Sequence, residues 1–165
     1  YGHARLCAIV RRAGELLEAG KVPEALRPLV AEGLGLSTGP ATIPAEALGL
    51  ADERKIARTV LSLPDHVAEA AEALEPHRIV YFVQDLSQAF QRYYTERWKR
   101  HGDPVLPPAR LDGPDLARWD WEKTAARLRW IRAIRIAVAS ALDLAGVEAP
   151  ERMERSDEVE REDEA

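Results

Sequence analysis

The stretch PHRIVYFVQDLSQAFQRYYTERWKR, residues 76–100, decides how this chain of 165 residues folds. Ile79, Phe82, Val83, Leu86, Ala89, Phe90 and Tyr93 recur at three- and four-residue spacing, so a helix places them on one face. Pro76 suits the first helical position, where a missing N–H costs nothing. Gly102, Asp103 and Pro104 end the helix. A strand would need strict alternation, which this stretch lacks.

The same period continues on both sides. Leu6, Ile9, Val10, Ala13, Leu16 and Leu17 predict a helix over 4–18, and Ala25 to Leu34 adds a turn or two after Pro23. Gly33, Gly35, Ser37, Thr38, Gly39, Pro40, Thr42 and Pro44 read as a loop. A helix is expected from Asp52 to Leu63, stopped by Pro64, with Asp65 capping another from His66 to about Leu74. After a Pro-rich link, a last helix is expected over 116–145 with Ile131, Ile134, Val138, Ala141 and Leu142 inward and Gly146 just past its end. No segment alternates cleanly enough for a strand. The fold class is all-α, a helical bundle with no repeat of fixed period.

Charge is unevenly placed. The formal net charge is −5, yet residues 151–165 hold eight acids against three bases, and residues 1–150 hold twenty of each. One cysteine, Cys7, excludes an intrachain disulfide framework and a Cys-rich zinc site and fits a reducing compartment, here the cytoplasm. No uncharged apolar run approaches a membrane span. The start Tyr1-Gly2-His3-Ala4-Arg5 has no signal-peptide character, and the lack of an initiator Met is expected of a mature product or a piece of a longer protein.

Signals for catalysis are thin. Gly33, Gly35 and Gly39 lack dinucleotide-motif spacing, and His3, His66, His77 and His101 are scattered without a helical i, i+4 pair. Asp65-His66 reads better as a helix cap than as two metal ligands. Cys7 reads as a small buried side chain, and Glu69, Glu72 and Glu75 as a solvated face. No catalytic or metal-binding residue is assigned.

A binding surface has more support. Residues 76–135 carry twelve bases and seven acids, and nine of the ten aromatic residues. Lys123, Arg127, Arg129, Arg132 and Arg135 meet no acid within their own run. Arginines neutralise phosphates, and aromatic faces stack on unpaired bases. Tyr94 and Trp98 lie at i, i+4 with Arg97 beside them, and Tyr94 is expected at the edge of the core stripe that ends with Tyr93. Solvated arginine faces and core aromatics are common, so charge and aromatics alone leave nucleic-acid binding one reading among others.

Specific motifs narrow the choice. Pro76-His77-Arg78, then Asp85-Leu86-Ser87-Gln88-Ala89-Phe90 and Tyr94, strongly resemble the DALR-type helical anticodon-binding domain that closes arginyl-tRNA synthetases. Tyr1-Gly2-His3-Ala4-Arg5-Leu6 is similar to that family's Tyr-Ala-His-Ala-Arg-Ile opening. Pro104-Val105-Leu106, Ala126-Arg127-Leu128, Gly146-Val147 and Ala149-Pro150-Glu151-Arg152-Met153 follow its later motifs in order. The resemblance covers 1–153 and leaves 154–165 as an acidic tail, expected to be disordered.

The resemblance implies a helical bundle of the class I synthetase anticodon-binding type. It also implies a parent enzyme that attaches arginine to its tRNA using ATP with Mg²⁺ in a catalytic domain N-terminal to Tyr1. The His-Ile-Gly-His-like and Lys-Met-Ser-Lys-like motifs of such a domain do not occur here, and the fragment itself is expected to hold no cofactor. Expected partners are the tRNA for arginine and that catalytic domain, with no membrane. By position, the family implies that Tyr94, Trp98 and Met153 face the anticodon loop. Arg97, Arg127, Arg129 and Arg132 are added from charge as phosphate contacts, while Arg135 falls between core positions.

Phe82 and Gln84 stand where the family commonly has tyrosines. Residues 33–49 and 103–121 are longer than usual, and twelve residues follow Met153, where the family normally stops. A stand-alone paralogue of the domain, or a helical protein-interaction module with an Arg-rich face, are the alternative readings.

Overall fold

The computed structural model describes residues 2–36 and 48–152, apart from the side chain of Trp98. Residues 37–47, in the expected Gly/Pro-rich loop, and Met153 with the acidic tail lie outside the described residues. Among the described residues, seven α-helices follow one another: α1 (Gly2–Glu18), α2 (Arg27–Leu34, entered through a 3-10 turn at Glu24–Leu26), α3 (Ala51–Leu61), α4 (Leu63–Ala73), α5 (His77–His101), α6 (Gly113–Ala117) and α7 (Trp121–Leu144). No strand occurs among the described residues. The all-α expectation is met.

α7 is the axis of the bundle and packs against α1, α2, α3 and α5. Twelve of its 24 residues are buried, including Leu128, Ile131, Ile134 and Val138. A helix surrounded by neighbours shows a weak one-sided pattern. α5 fulfils the reading of 76–100: Phe82, Leu86, Phe90 and Tyr93 all lie in the core. Gly33 lets α2 approach α7, since a Cβ there would sit 2.6 Å from the Ala125 carbonyl oxygen. Gly102 ends α5 at a φ of 58°, a left-handed conformation that glycine adopts without a Cβ penalty.

Three boundaries differ from expectation. The helix expected over 116–145 is two helices, because the Asp120 carboxylate accepts the Lys123 N–H at 2.9 Å and starts α7 afresh. The buried indole of Trp121 locks the break by donating to the Leu116 carbonyl at 3.2 Å. α3 ends at Leu61 and α4 starts at Leu63, so Pro64 occupies the first turn of α4 and Asp65 lies inside it rather than capping it. Pro76 is the residue before α5, not its first position. At the far end, Gly146 N–H donates to the Asp143 carbonyl and Val147 N–H to that of Leu142, closing α7 as expected.

Candidate nucleic-acid interface

On α1, Arg5, Ala8 and Arg12 follow one another at i, i+3 and i+7, with Ala4 and Arg11 alongside. Their side chains line a cavity of about 660 Å³ that is also lined by the irregular segment 104–109. Small Ala4 and Ala8 leave the space between the arginines open. Tyr94 of α5 closes one side of the cavity, and Glu151 and Arg152 another. Four arginines therefore meet one acid there. Its size and its mix of apolar floor and charged rim suit a ligand with flat rings and anionic groups.

Tyr94 is half-buried. Its ring lies 6.1 Å from that of Phe90, and the Arg5 guanidinium stands 5.4 Å above it. Phe90 and Tyr93 pack in turn on Trp130 of α7, at 5.9 and 4.9 Å. Tyr93 is core and Tyr94 the edge, as the helical stripe predicts. The end of the described chain is brought to this place by His3, whose Nδ1 donates to the Pro150 carbonyl at 3.0 Å. Arg152 therefore lines the cavity with Met153 as its neighbour in sequence.

The wall at 104–109 is held by a buried ionic network. Glu53, the third residue of α3, is wholly buried. It accepts from Tyr93 Oη at 2.6 Å, from Arg127 Nε at 2.9 Å and from the Leu50 backbone N–H at 3.2 Å. The other edge of the Arg127 guanidinium grips Asp103 in two-pronged fashion at 3.0 and 2.8 Å. Lys123 Nζ joins Asp103 at 2.9 Å, and Thr124 Oγ1 donates to the Val105 carbonyl at 3.2 Å. Partial burial works against the Asp103 charge, but the hydrogen bonds and charges of Arg127 and Lys123 outweigh it and draw its carboxyl down to about 2. Burial, helped by the bond to Glu53, pushes the Tyr93 phenol far above its ordinary range. Burial also disfavours the Arg127 cation, yet Asp103 and Glu53 hold it more firmly protonated than usual.

This geometry corrects part of the residue set read from charge. Arg127 is 1% exposed and fully engaged, so it cannot reach a phosphate; it braces the site from within. Arg97 is turned toward Asp103, 4.0 Å away, and its side chain is 16% exposed. Arg129 is exposed but lies 3.6 Å from Glu32 of α2. Arg132 lies half-buried against Gly35 at the end of α2. Both are on the α2 side of α7, whereas Trp130 between them faces α5, so neither joins Tyr94. The Trp98 side chain and Met153 lie outside the described residues; the Trp98 backbone continues α5 one turn beyond Tyr94. Arg135 is half-buried, and Arg78 pairs locally with Glu75 on the surface.

Sequence reasoning missed Arg5, Arg11, Arg12 and Arg152. Their stripe on α1 is readable from spacing, but the segment that turns it into a cavity comes from about a hundred residues away. Among the described residues, no group of three or more His, Cys, Asp or Glu side chains could hold a metal ion, and no helix is long and apolar enough to cross a membrane.

Residues 1–153 match the family described as the DALR anticodon binding domain. The chain belongs to that family. Relatives of the DALR domain described here include the arginine–tRNA ligase of Anaeromyxobacter dehalogenans strain 2CP-C, 38% identical over 154 residues, which are 93% of this chain and 21% of the relative. The arginine–tRNA ligase of Nitratidesulfovibrio vulgaris is 35% identical over 93% of this chain and 22% of its own length, and that of Moorella thermoacetica 34% over 93% and 21%. The chain thus spans about a fifth of the curated relatives it matches. No solved structure matches it.

Proposed function

We propose that this DALR domain binds the anticodon stem-loop of the tRNA for arginine, as the C-terminal part of an arginyl-tRNA synthetase. The observation that carries the reading is the cavity that gathers Tyr94, the α1 arginines and the chain end at Arg152 on one face of a domain of this family. Tyr94 and Trp98 stack on unpaired bases, Met153 packs against one, and Arg11, Arg12 and Arg152 meet the backbone. Arg129 and Arg132 are left to a separate contact on the α2 side. In this reading the arginine transfer, with its ATP and Mg²⁺, belongs to a catalytic region outside these 165 residues, working in the cytoplasm.

Titrating a tRNA for arginine against salt tests it. Affinity falls steeply with salt if phosphates are neutralised. Replacing both Tyr94 and Trp98 by Ala weakens binding by roughly tenfold or more, since each stacked base contributes about 1–3 kcal/mol. Arg11→Ala lowers the salt slope by about one, whereas Arg129→Ala leaves the stacking loss of Tyr94→Ala unchanged. A salt-insensitive affinity, or one indifferent to the aromatic pair, would favour a protein-interaction module instead.

A further inference from the structure

We propose that the acidic segment 154–165 docks on the arginine-lined cavity of α1 and competes there with RNA phosphate; the competition rests on the reading that RNA occupies this cavity. Residues 154–165 hold seven acids and two arginines, a net of −5. The cavity offers the opposite charge, with Arg5, Arg11, Arg12 and Arg152 against Glu151. Arg152 is itself a lining residue and precedes Met153, so the acidic segment begins within two residues of the cavity.

Reach is not limiting. Twelve residues extend to roughly 40 Å, while Arg5 to Arg12 spans about 10 Å along the helix. A tether this short also holds its acids near the cavity at roughly millimolar effective concentration, so pairs that are individually weak act together. The pair that Arg12 makes with Glu15 is exchangeable, because the two meet at 3.1 Å with both side chains about half exposed. His3 fixes the departure point by tying Pro150 to the start of α1.

The test compares three chains: the full chain, one ending after Met153, and a full-length chain whose seven tail acids are changed to Gln or Asn. Without RNA, the amide resonances of residues 5–12 shift between full and shortened chains at low salt, and those of α4 do not. With a tRNA for arginine at low salt, shortening and neutralising each tighten binding by about three- to tenfold, and the gain disappears at high salt. Unmoved α1 resonances overturn the docking, and any tRNA effect is then general repulsion. Moved resonances with an unaltered tRNA affinity overturn the competition. Moved resonances with no tRNA binding by any chain leave the docking standing and overturn the RNA reading itself.

Discussion

Arg127 shows how a residue's role depends on what faces it. In sequence it stands in a run of five cations without an acid; in the fold Glu53 and Asp103 take its two edges. Removing one partner from a buried ion pair leaves the other charge uncompensated, which typically costs about 3–5 kcal/mol. Arg127→Met is therefore expected to lower stability by that order in denaturant melts. Glu53→Gln, which keeps shape and leaves the Tyr93 and Arg127 bonds partly satisfied, costs less, about 1–3 kcal/mol. A neutral Arg127→Met would mean the network is not formed in solution. Asp103 adds a pH dependence. Its carboxyl titrates at about 2 in the fold against an ordinary 3.8, so its stabilisation is complete above about pH 4 and is lost as pH falls through 2. The stability gap between the natural chain and Asp103→Asn should be constant near neutrality and narrow in acid.

At the scale of elements, α5 and α7 illustrate two levels of legibility. α5 has neighbours on one side only, so its stripe is plain in sequence and its ends fall within a residue of expectation. α7 is enclosed, and its true start is set by the Asp120 side chain and the packing of Trp121, which periodicity does not report. Asp120→Ala should cost about 1 kcal/mol through loss of the cap. Gly33→Ala should cost about 1–3 kcal/mol, because the added carbon meets backbone that cannot turn aside. Thermal melts of both variants check these values; an unchanged Gly33→Ala would show that α2 can move off α7. The α1 stripe is an intermediate case. Its spacing is readable, but a row of arginines on a helix becomes a site only when another segment walls it in.

For the whole molecule, the two ends of the described chain converge on one face. The His3–Pro150 bond brings Arg152 beside the α1 arginines and Tyr94. His3→Ala is expected to weaken tRNA binding by severalfold with little change in the salt slope, since no phosphate contact is removed. A parallel loss of slope would instead place His3 on the backbone of the RNA. Part of the basic surplus of residues 76–135 is spent on acids of the fold: Lys123, Arg127 and Arg97 converge on Asp103, and Arg129 on Glu32. The arginines on the exposed cavity come mostly from α1, outside that stretch.

Local patterns were enough for the helical class, for most helix positions, and for Tyr93 as core with Tyr94 at its edge. Those properties depend on 3.6-residue periodicity and on Pro and Gly stereochemistry, which act over a few residues. The ordered motifs were enough for the family. Only the tertiary structure decided which arginines face outward. Charges pair across space rather than along the chain, and Glu53 lies 74 positions from the guanidinium it neutralises. The same holds for the cavity, whose walls are drawn from α1, α5, the segment after α5 and the chain end.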